Sequence, residues 1–246
     1  MTQDLLSDSP VHDVVIVGGG LVGASLAIAL DALGLDVGMV EAAPTGALPP
    51  VFDQRNLSFA EATLHALDAL GVLALMRAPT GSIRRIHISR AGDFGRIQLR
   101  AADYARTEFG RVVVARDFGE ALEARLQQLT RLTRYRPARF AGLAPMTDGL
   151  HTVQITDANG QRELRANLLV AADGNRSEVR RALGISTQDH DYGQTLFVAR
   201  LRAQRAPDGT AFERLTETGP TALLPRGDGY YGMVHGVASA DADAVA

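Results

Sequence analysis

The stretch Asp13-Val-Val-Ile-Val-Gly-Gly-Gly-Leu-Val-Gly23, with Val37-Gly-Met-Val-Glu41 further on, decides how the rest of the chain is read. Val14 to Val17 is a short β-branched run of the kind that fills a parallel strand covered on both faces. Gly18, Gly20 and Gly23 then form G-x-G-x-x-G at the point where a strand gives way to a helix, expected from about Leu21 to Leu33. In that pattern the first glycine permits the tight turn. The second lets a pyrophosphate approach the backbone, and the third lets the helix pack closely on the strand. The helix start presents free N–H groups and the positive end of its dipole to the phosphates. Glu41 ends the second strand 23 positions after Gly18, close to the ~20 expected for a carboxylate that binds ribose hydroxyls. A 2′-phosphate there would meet a like charge, so Glu41 argues against NADP and leaves FAD and NAD.

Bulk properties narrow the chemistry. The 246 residues can bury a sizeable core, and a net charge of −3 gives no general attraction to nucleic acid. There is no cysteine, which excludes disulfides, thiolate catalysis and cysteine-ligated metals. All 25 basic residues are arginine, so a P-loop lysine and a Schiff-base lysine are excluded too. The histidines (His12, His65, His87, His151, His190, His235) are scattered without metal-ligand spacing, and no metal is expected. Residues 1–12 lack the basic and apolar regions of a signal peptide, and no run approaches the ~20 apolar residues of a membrane span. A cytoplasmic protein, or one peripheral to the inner membrane, is expected.

Beyond the opening βαβ unit, Ala42 to Gln54 reads as a loop. Ser58-x-x-Glu61 reads as a capping box for a helix with Leu64, Leu67 and Leu70 on its buried stripe and Gly71 at its end. Ser82 to Arg90 and Gly95 to Arg100 alternate as two strands of a hairpin around Ala91-Gly92-Asp93. Arg111 to Arg116 is strand-like, and Asp117-x-x-Glu120 opens a helix with Leu122, Leu126 and Leu129 inward. Strands follow at Leu150 to Thr156 and Arg162 to Leu164. A buried apolar strand, Leu168 to Ala172, ends in Asp173-Gly174, and a short helix spans Ser177 to Leu183. The last sixty residues are strand-like, with a hairpin around Arg226-Gly-Asp-Gly229. The expected class is α/β: a discontinuous Rossmann-like domain over 1–81 and 111–185, and a mostly antiparallel β domain over 82–110 and 186–246.

The ordered blocks resemble the flavin-dependent aromatic hydroxylases, the p-hydroxybenzoate hydroxylase superfamily. The blocks are the glycine motif with Glu41, Phe52-Asp-Gln-Arg55 with Leu57-Ser58, Val114-Ala-Arg116, Leu169-Val-Ala-Ala-Asp-Gly174 with Ser177 and Arg180-Arg181, and Leu223-Leu-Pro225. Phe52 to Ser58 and Ile86-His-Ile-Ser89…Gly92-x-Phe94-Gly95 point to the ubiquinone branch, the 2-polyprenyl-6-methoxyphenol hydroxylases. The resemblance implies resident FAD held by Gly18, Gly20, Gly23, Glu41, Arg55, Arg116, Asp173 and Gly174, with NAD(P)H as a transient reductant. It implies a monooxygenase in which a flavin hydroperoxide, formed with O₂, transfers OH to a polyprenylated phenol. Association with a membrane or a quinone-synthesis complex follows from such a substrate. The hard chemistry belongs to the cofactor, so no side chain is nominated as a catalytic acid or base. Tyr230 and Tyr231 are expected to pack in strands. Members of that family continue past the position of Ala246 into a Gly-Asp motif, so the chain is expected to lack that part, to bind FAD weakly and to hydroxylate poorly. A related isoprenoid reductase or epoxidase, and a non-catalytic nucleotide-binding remnant, are the alternatives.

Overall fold

The computed structural model describes residues 9–245, so the readings made on residues 1–8 lie outside the described residues. In chain order, β1 (Val11–Val17), α1 (Leu21–Ala32) and β2 (Val37–Val40) make the opening βαβ unit. The chain continues through β3 (Asn56–Ala60), α2 (Glu61–Ala69), β4 (Gly81–Ile83), β5 (Arg85–Arg90), β6 (Ile97–Arg100), β7 (Gly110–Val114) and α3 (Ala115–Leu126). Next come β8 (Leu132–Tyr135), β9 (Arg139–Thr147), β10 (Leu150–Asp157), β11 (Gly160–Ala171) and α4 (Glu178–Ala182). The last elements are β12 (Gln194–Leu201), β13 (Thr210–Leu215), β14 (Pro220–Pro225), β15 (Tyr231–Ala238) and α5 (Ala242–Val245).

These elements form two compact units. The first takes the chain up to Phe52, then Leu70–Leu75 and Gly119–Thr187; the second takes Asp53–Ala69, Met76–Phe118 and Gln188–Ala246. The division falls inside α3, and it groups β3, α2, β4 and β7 with the later strands.

The first unit is built on one sheet of order β8-β2-β1-β11-β10-β9. β8, β2, β1 and β11 run parallel, and β10 and β9 add an antiparallel edge. This is the α/β, Rossmann-like class that the glycine pattern led us to expect. Val15 and Ile16 are fully buried, and so is Val37, which is why β1 from Val14 onward and β2 carry no polar side chain. Helix α1 lies on the sheet through Ala24, Ala27 and Ile28, small or branched residues that allow a close approach. A polar cluster sits inside the unit: His12 bonds Asp36 through Nδ1, and its Nε2 lies 2.7 Å from Tyr135 Oη. Burial pushes the Tyr135 hydroxyl's pKa up, with the Asp36 charge adding to it and the Arg162 charge opposing.

The second unit holds a six-stranded sheet, β12-β15-β14-β13-β5-β6, and a three-stranded one, β3-β7-β4. The larger sheet is antiparallel except where β5 and β13 pair in parallel. Ile83 and Val112 of the smaller sheet and Ala211 of the larger form a buried cluster, with Ile86, Phe109 and Leu224 packed against them.

Several local expectations change. Ser58 is no helix cap: it lies in β3 opposite Val112, and α2 begins only at Glu61. Ladder bonding to β7 has satisfied the backbone that a cap would have served. Ser82 to Arg90 is two strands, because β4 pairs with β7 while β5 pairs with β6 and β13. Helix α3 starts at Ala115, two residues before the acidic pair that looked like its opening, and it ends at Leu126, short of Leu129. Arg162 to Leu164 and Leu168 to Ala172 are one strand, β11, which pairs antiparallel with β10 and parallel with β1. Its end is not buried as expected: Leu168 is 52% exposed, since one face there has no cover among the described residues.

Candidate functional site

The glycine loop takes its shape from three backbone contacts. Gly18 has φ +105, and a Cβ there would fall 2.3 Å from the carbonyl oxygen of Ala172. Its N–H donates to Val40 O at 2.8 Å, and Ala172 N–H donates to Val17 O at 2.7 Å. The turn is therefore pinned between the ends of β2, β1 and β11, at the carboxyl edge where open α/β sheets bind ligands. A Cβ on Gly23 would lie 1.9 Å from Gly18 O, so α1 packs as closely as its backbone allows. Gly20 differs. It is the N-cap of α1 with no side-chain cap, and the nearest atom to an added Cβ is Val51 Cγ1 at 3.5 Å. The first turn of α1 has no acidic residue. Its backbone N–H groups have no intrahelical partners, which is the condition for holding an anion.

Glu41 is buried beside this loop. Its Oε2 accepts from Gly19 N–H at 2.8 Å and its Oε1 from Ala43 N–H at 2.6 Å. An ionised carboxylate offers about four acceptor sites, so two remain for ribose hydroxyls. The sequence missed the Gly19 contact, although three consecutive glycines were the signal: a Cβ on Gly19 would sit 2.9 Å from Glu41 Oε2.

Asp173 continues directly from the Ala172 carbonyl that crowds Gly18. Its Oδ2 accepts from Glu178 N–H at 2.7 Å and Val179 N–H at 3.2 Å, which fixes the start of α4. Its Oδ1 is buried and has no hydrogen-bond partner among the described residues. Buried carboxylate oxygens are rarely left unpaired, and this one lies in the loop cluster that the glycine motif builds. Gly174 follows with φ +83, a left-handed position that glycine adopts without strain. Gly18, Gly20, Gly23, Glu41, Asp173 and Gly174 thus come together in the first unit. An open helix N-terminus, an uncrowded Gly20 and an orphaned buried oxygen fit a dinucleotide such as FAD.

Arg55 and Arg116 belong to the second unit, where Asp53 organises both. Arg55 donates from its backbone N–H to Asp53 Oδ1 at 2.9 Å and from Nε to Oδ2 at 2.6 Å, while Arg116 N–H donates to Asp53 O at 2.8 Å. Ala115 N–H bonds Arg55 O at 2.9 Å and closes the same loop. The Arg55 side chain is 57% exposed and has further donors free to turn toward a ligand.

Sequence reading also missed the neighbour of this loop. Arg226, in the turn read only as a hairpin, is nearly buried, and it donates to Asn56 Oδ1 at 2.6 Å and to Asp228 Oδ2 at 2.8 Å. Those Arg226 hydrogen bonds hold the Asp228 carboxyl below its usual range. They line a small cavity with Pro79, Val113 and Asp117. An arginine with an aspartate two residues on, Arg226 and Asp228, was the available signal. Tyr231 packs in the sheet as expected, and Tyr230 lies under the Arg200 guanidinium at 3.6 Å.

Comparison with known proteins agrees with this geometry. The chain is 36% identical over 220 residues to the ubiquinone hydroxylase UbiL of Rhodospirillum rubrum, covering 89% of this chain and 50% of that protein. It is 32% identical to a mitochondrial ubiquinone biosynthesis monooxygenase of Xenopus tropicalis, covering 89% and 50%, and 26% identical to the 3-demethoxyubiquinol 3-hydroxylase of Escherichia coli, covering 90% and 56%. The chain therefore spans about half the length of the curated relatives it matches. Among solved structures, the p-nitrophenol 4-monooxygenase PnpA of Pseudomonas putida superimposes with a TM-score of 0.78 at 20% identity, covering 96% of this chain and 61% of that one, a likeness of fold. A family described as an FAD binding domain matches residues 11–240. With that match running through both units, the chain belongs to the FAD binding domain family.

Proposed function

We propose that this polypeptide is the nucleotide-binding portion of an FAD-dependent monooxygenase that hydroxylates a polyprenylated phenol in ubiquinone biosynthesis, with NAD(P)H and O₂ as co-substrates. The observation that carries the flavin reading is the open cradle around Gly20, with the unpaired Asp173 Oδ1 in the same loop cluster. The names of the relatives support the phenolic substrate. When bound, FAD supplies redox and oxygen chemistry that no side chain of this chain can supply. The protein's own part is binding and orientation. The Gly18–Gly23 loop and the first turn of α1 receive the pyrophosphate, and Glu41 accepts from ribose hydroxyls. Asp173 offers its free oxygen to a ligand hydroxyl or N–H, and Arg55 and Arg116 donate to phosphate or flavin oxygens. We assign the first unit, together with the Arg55 and Arg116 loop, to FAD and the large sheet of the second unit to the substrate. Contact with a membrane or a quinone-synthesis complex accompanies a substrate of that class.

Titration of the 246-residue polypeptide with FAD, followed by NAD(P)H oxidation and isotopic oxygen incorporation into a prenylphenol, tests the reading. Saturable flavin binding that Gly20→Ala weakens at least about tenfold is the expected result. Equal FAD affinity of the wild-type and Gly20→Ala polypeptides, or no labelled oxygen passed to any phenol when the polypeptide is joined to a relative's second half, overturns it.

A further inference from the structure

The β5–β6 hairpin concentrates positive charge in an otherwise acidic chain. Between Arg85 and Arg100 stand four arginines (Arg85, Arg90, Arg96, Arg100) against one acid, Asp93, whereas the whole chain carries −3. Asp93 is paired with Arg90 at 3.6 Å, and Arg85 is paired with Asp208 just before β13, which leaves Arg96 and Arg100 as the hairpin's uncompensated charges. The Arg96 and Arg100 guanidiniums have no ion-pair partner among the described residues.

The tip of the same hairpin carries an aromatic ring with nothing around it. Phe94 is fully exposed, at 107% of its reference area, and Ile97 beside it is 57% exposed. Gly92 and Gly95 flank it with φ +84 and +96, and a Cβ on either would meet nothing within 4 Å. The tip therefore stands clear of the body of the unit. Leu215, 43% exposed, pairs with Arg90 on the neighbouring strand β13 and extends the apolar surface. Single exposed apolar residues are ordinary. A fully exposed ring at the apex of a hairpin with net charge +3 is a different combination.

We propose that this hairpin docks on an anionic lipid surface, with Phe94 and Ile97 entering the interfacial layer and Arg90 and Arg96 lying among the headgroups. Aromatic rings favour that layer, and each basic residue near it gains from the negative surface potential. Neither signal alone gives stable attachment, but together they make a two-part anchor. Charge alone would suit any polyanion; the exposed ring is what selects a bilayer. The proposal names the surface for the membrane contact above but rests on the hairpin alone, and its test needs no flavin.

The chain has no tryptophan, so Phe94→Trp installs a sole indole reporter. Added phosphatidylglycerol-containing vesicles should shift its emission to the blue, phosphatidylcholine vesicles should shift it little, and salt should reverse the effect. In co-sedimentation, Phe94→Ser should lower partitioning about tenfold and Arg96→Gln about fivefold. These positions are exposed, so folding is unaffected. Equal binding to neutral vesicles, an unshifted indole, or unchanged sedimentation of Phe94→Ser overturns the proposal. Loss with Arg96→Gln but not with Phe94→Ser identifies a polyanion partner instead and overturns it equally. Any of these failures leaves the flavoprotein reading standing.

Discussion

Replacing Gly23 and Gly20 separately by alanine should split the glycine loop into a packing part and a ligand part. In Gly23→Ala the helix interior gains about 1 kcal/mol of intrinsic propensity. Against this, the new Cβ would lie 1.9 Å from Gly18 O, 3.1 Å from Gly18 C and 3.2 Å from Ile16 Cγ2. Gly18 cannot yield easily, because its N–H is bonded to Val40 O and the Ala172 carbonyl stands so near that a Cβ on Gly18 would fall 2.3 Å from its oxygen. Overpacking of this kind costs about 1–3 kcal/mol when side chains can adjust, and more against backbone. We expect a net loss of about 2 kcal/mol, equivalent to a fall in Tm of about 4–8 °C for a chain of this size. Gly20→Ala meets only Val51 Cγ1 at 3.5 Å. It should cost less than about 1 kcal/mol, the penalty of an alanine N-cap. Its methyl group occupies the approach to the helix N-terminus, so FAD affinity should fall at least about tenfold. Urea unfolding without flavin reads the first effect, and flavin fluorescence quenching reads the second. Equal destabilisation by both substitutions, or normal FAD binding by Gly20→Ala, would falsify the division.

Other perturbations address the surrounding groups. Asp173→Ala removes the acceptor for Glu178 and Val179 N–H and should cost about 1 kcal/mol while weakening FAD binding; Asp173→Asn should restore the stability, and a failure to do so contradicts the capping role. Arg134 hydrogen bonds of 2.8 and 2.7 Å hold the Glu123 pKa down, with burial opposing them and the Arg134 and Arg136 charges adding. A pKa lowered in the folded state stabilises fully above the unfolded value and is lost as pH falls through the folded one. Glu123→Gln should therefore lose about 2 kcal/mol near neutrality, and its deficit should shrink as acid titrations pass below the ordinary value of 4.5. A pH-independent deficit contradicts this. Gly38→Ala places a Cβ 2.7 Å from His12 Cδ2 and should displace the ring from Tyr135. Spectrophotometric titration should then show the Tyr135 hydroxyl, now raised by burial, moving back toward its ordinary 10.0; an unmoved titration argues that the ring simply shifts aside.

The FAD-binding half of the fold was legible because its signals are local. A β-branched run, spaced glycines and a carboxylate at a strand end lie within residues 13–41, and each acts through backbone geometry that needs few distant partners. Ser58 and Asp117 show where local reading fails: both patterns fit helix starts, but β3 pairing claimed the first and an earlier start of α3 took in the second. The continuity of β11 was equally invisible, because it depends on β1 and β10 lying on either side.

The sequence by itself determined the nucleotide loop, the exclusion of thiol and lysine chemistry, and the α/β class, since composition and short-range spacing are enough for these. Only the tertiary structure decided that Glu41 is tied to Gly19, that Asp173 keeps one oxygen unpaired, and that Arg226 reaches Asn56 across 170 positions. It also decided that Phe94 stands free at a basic tip. Such facts depend on which distant backbone groups meet, and hydrogen-bond satisfaction is settled only when every partner is in place.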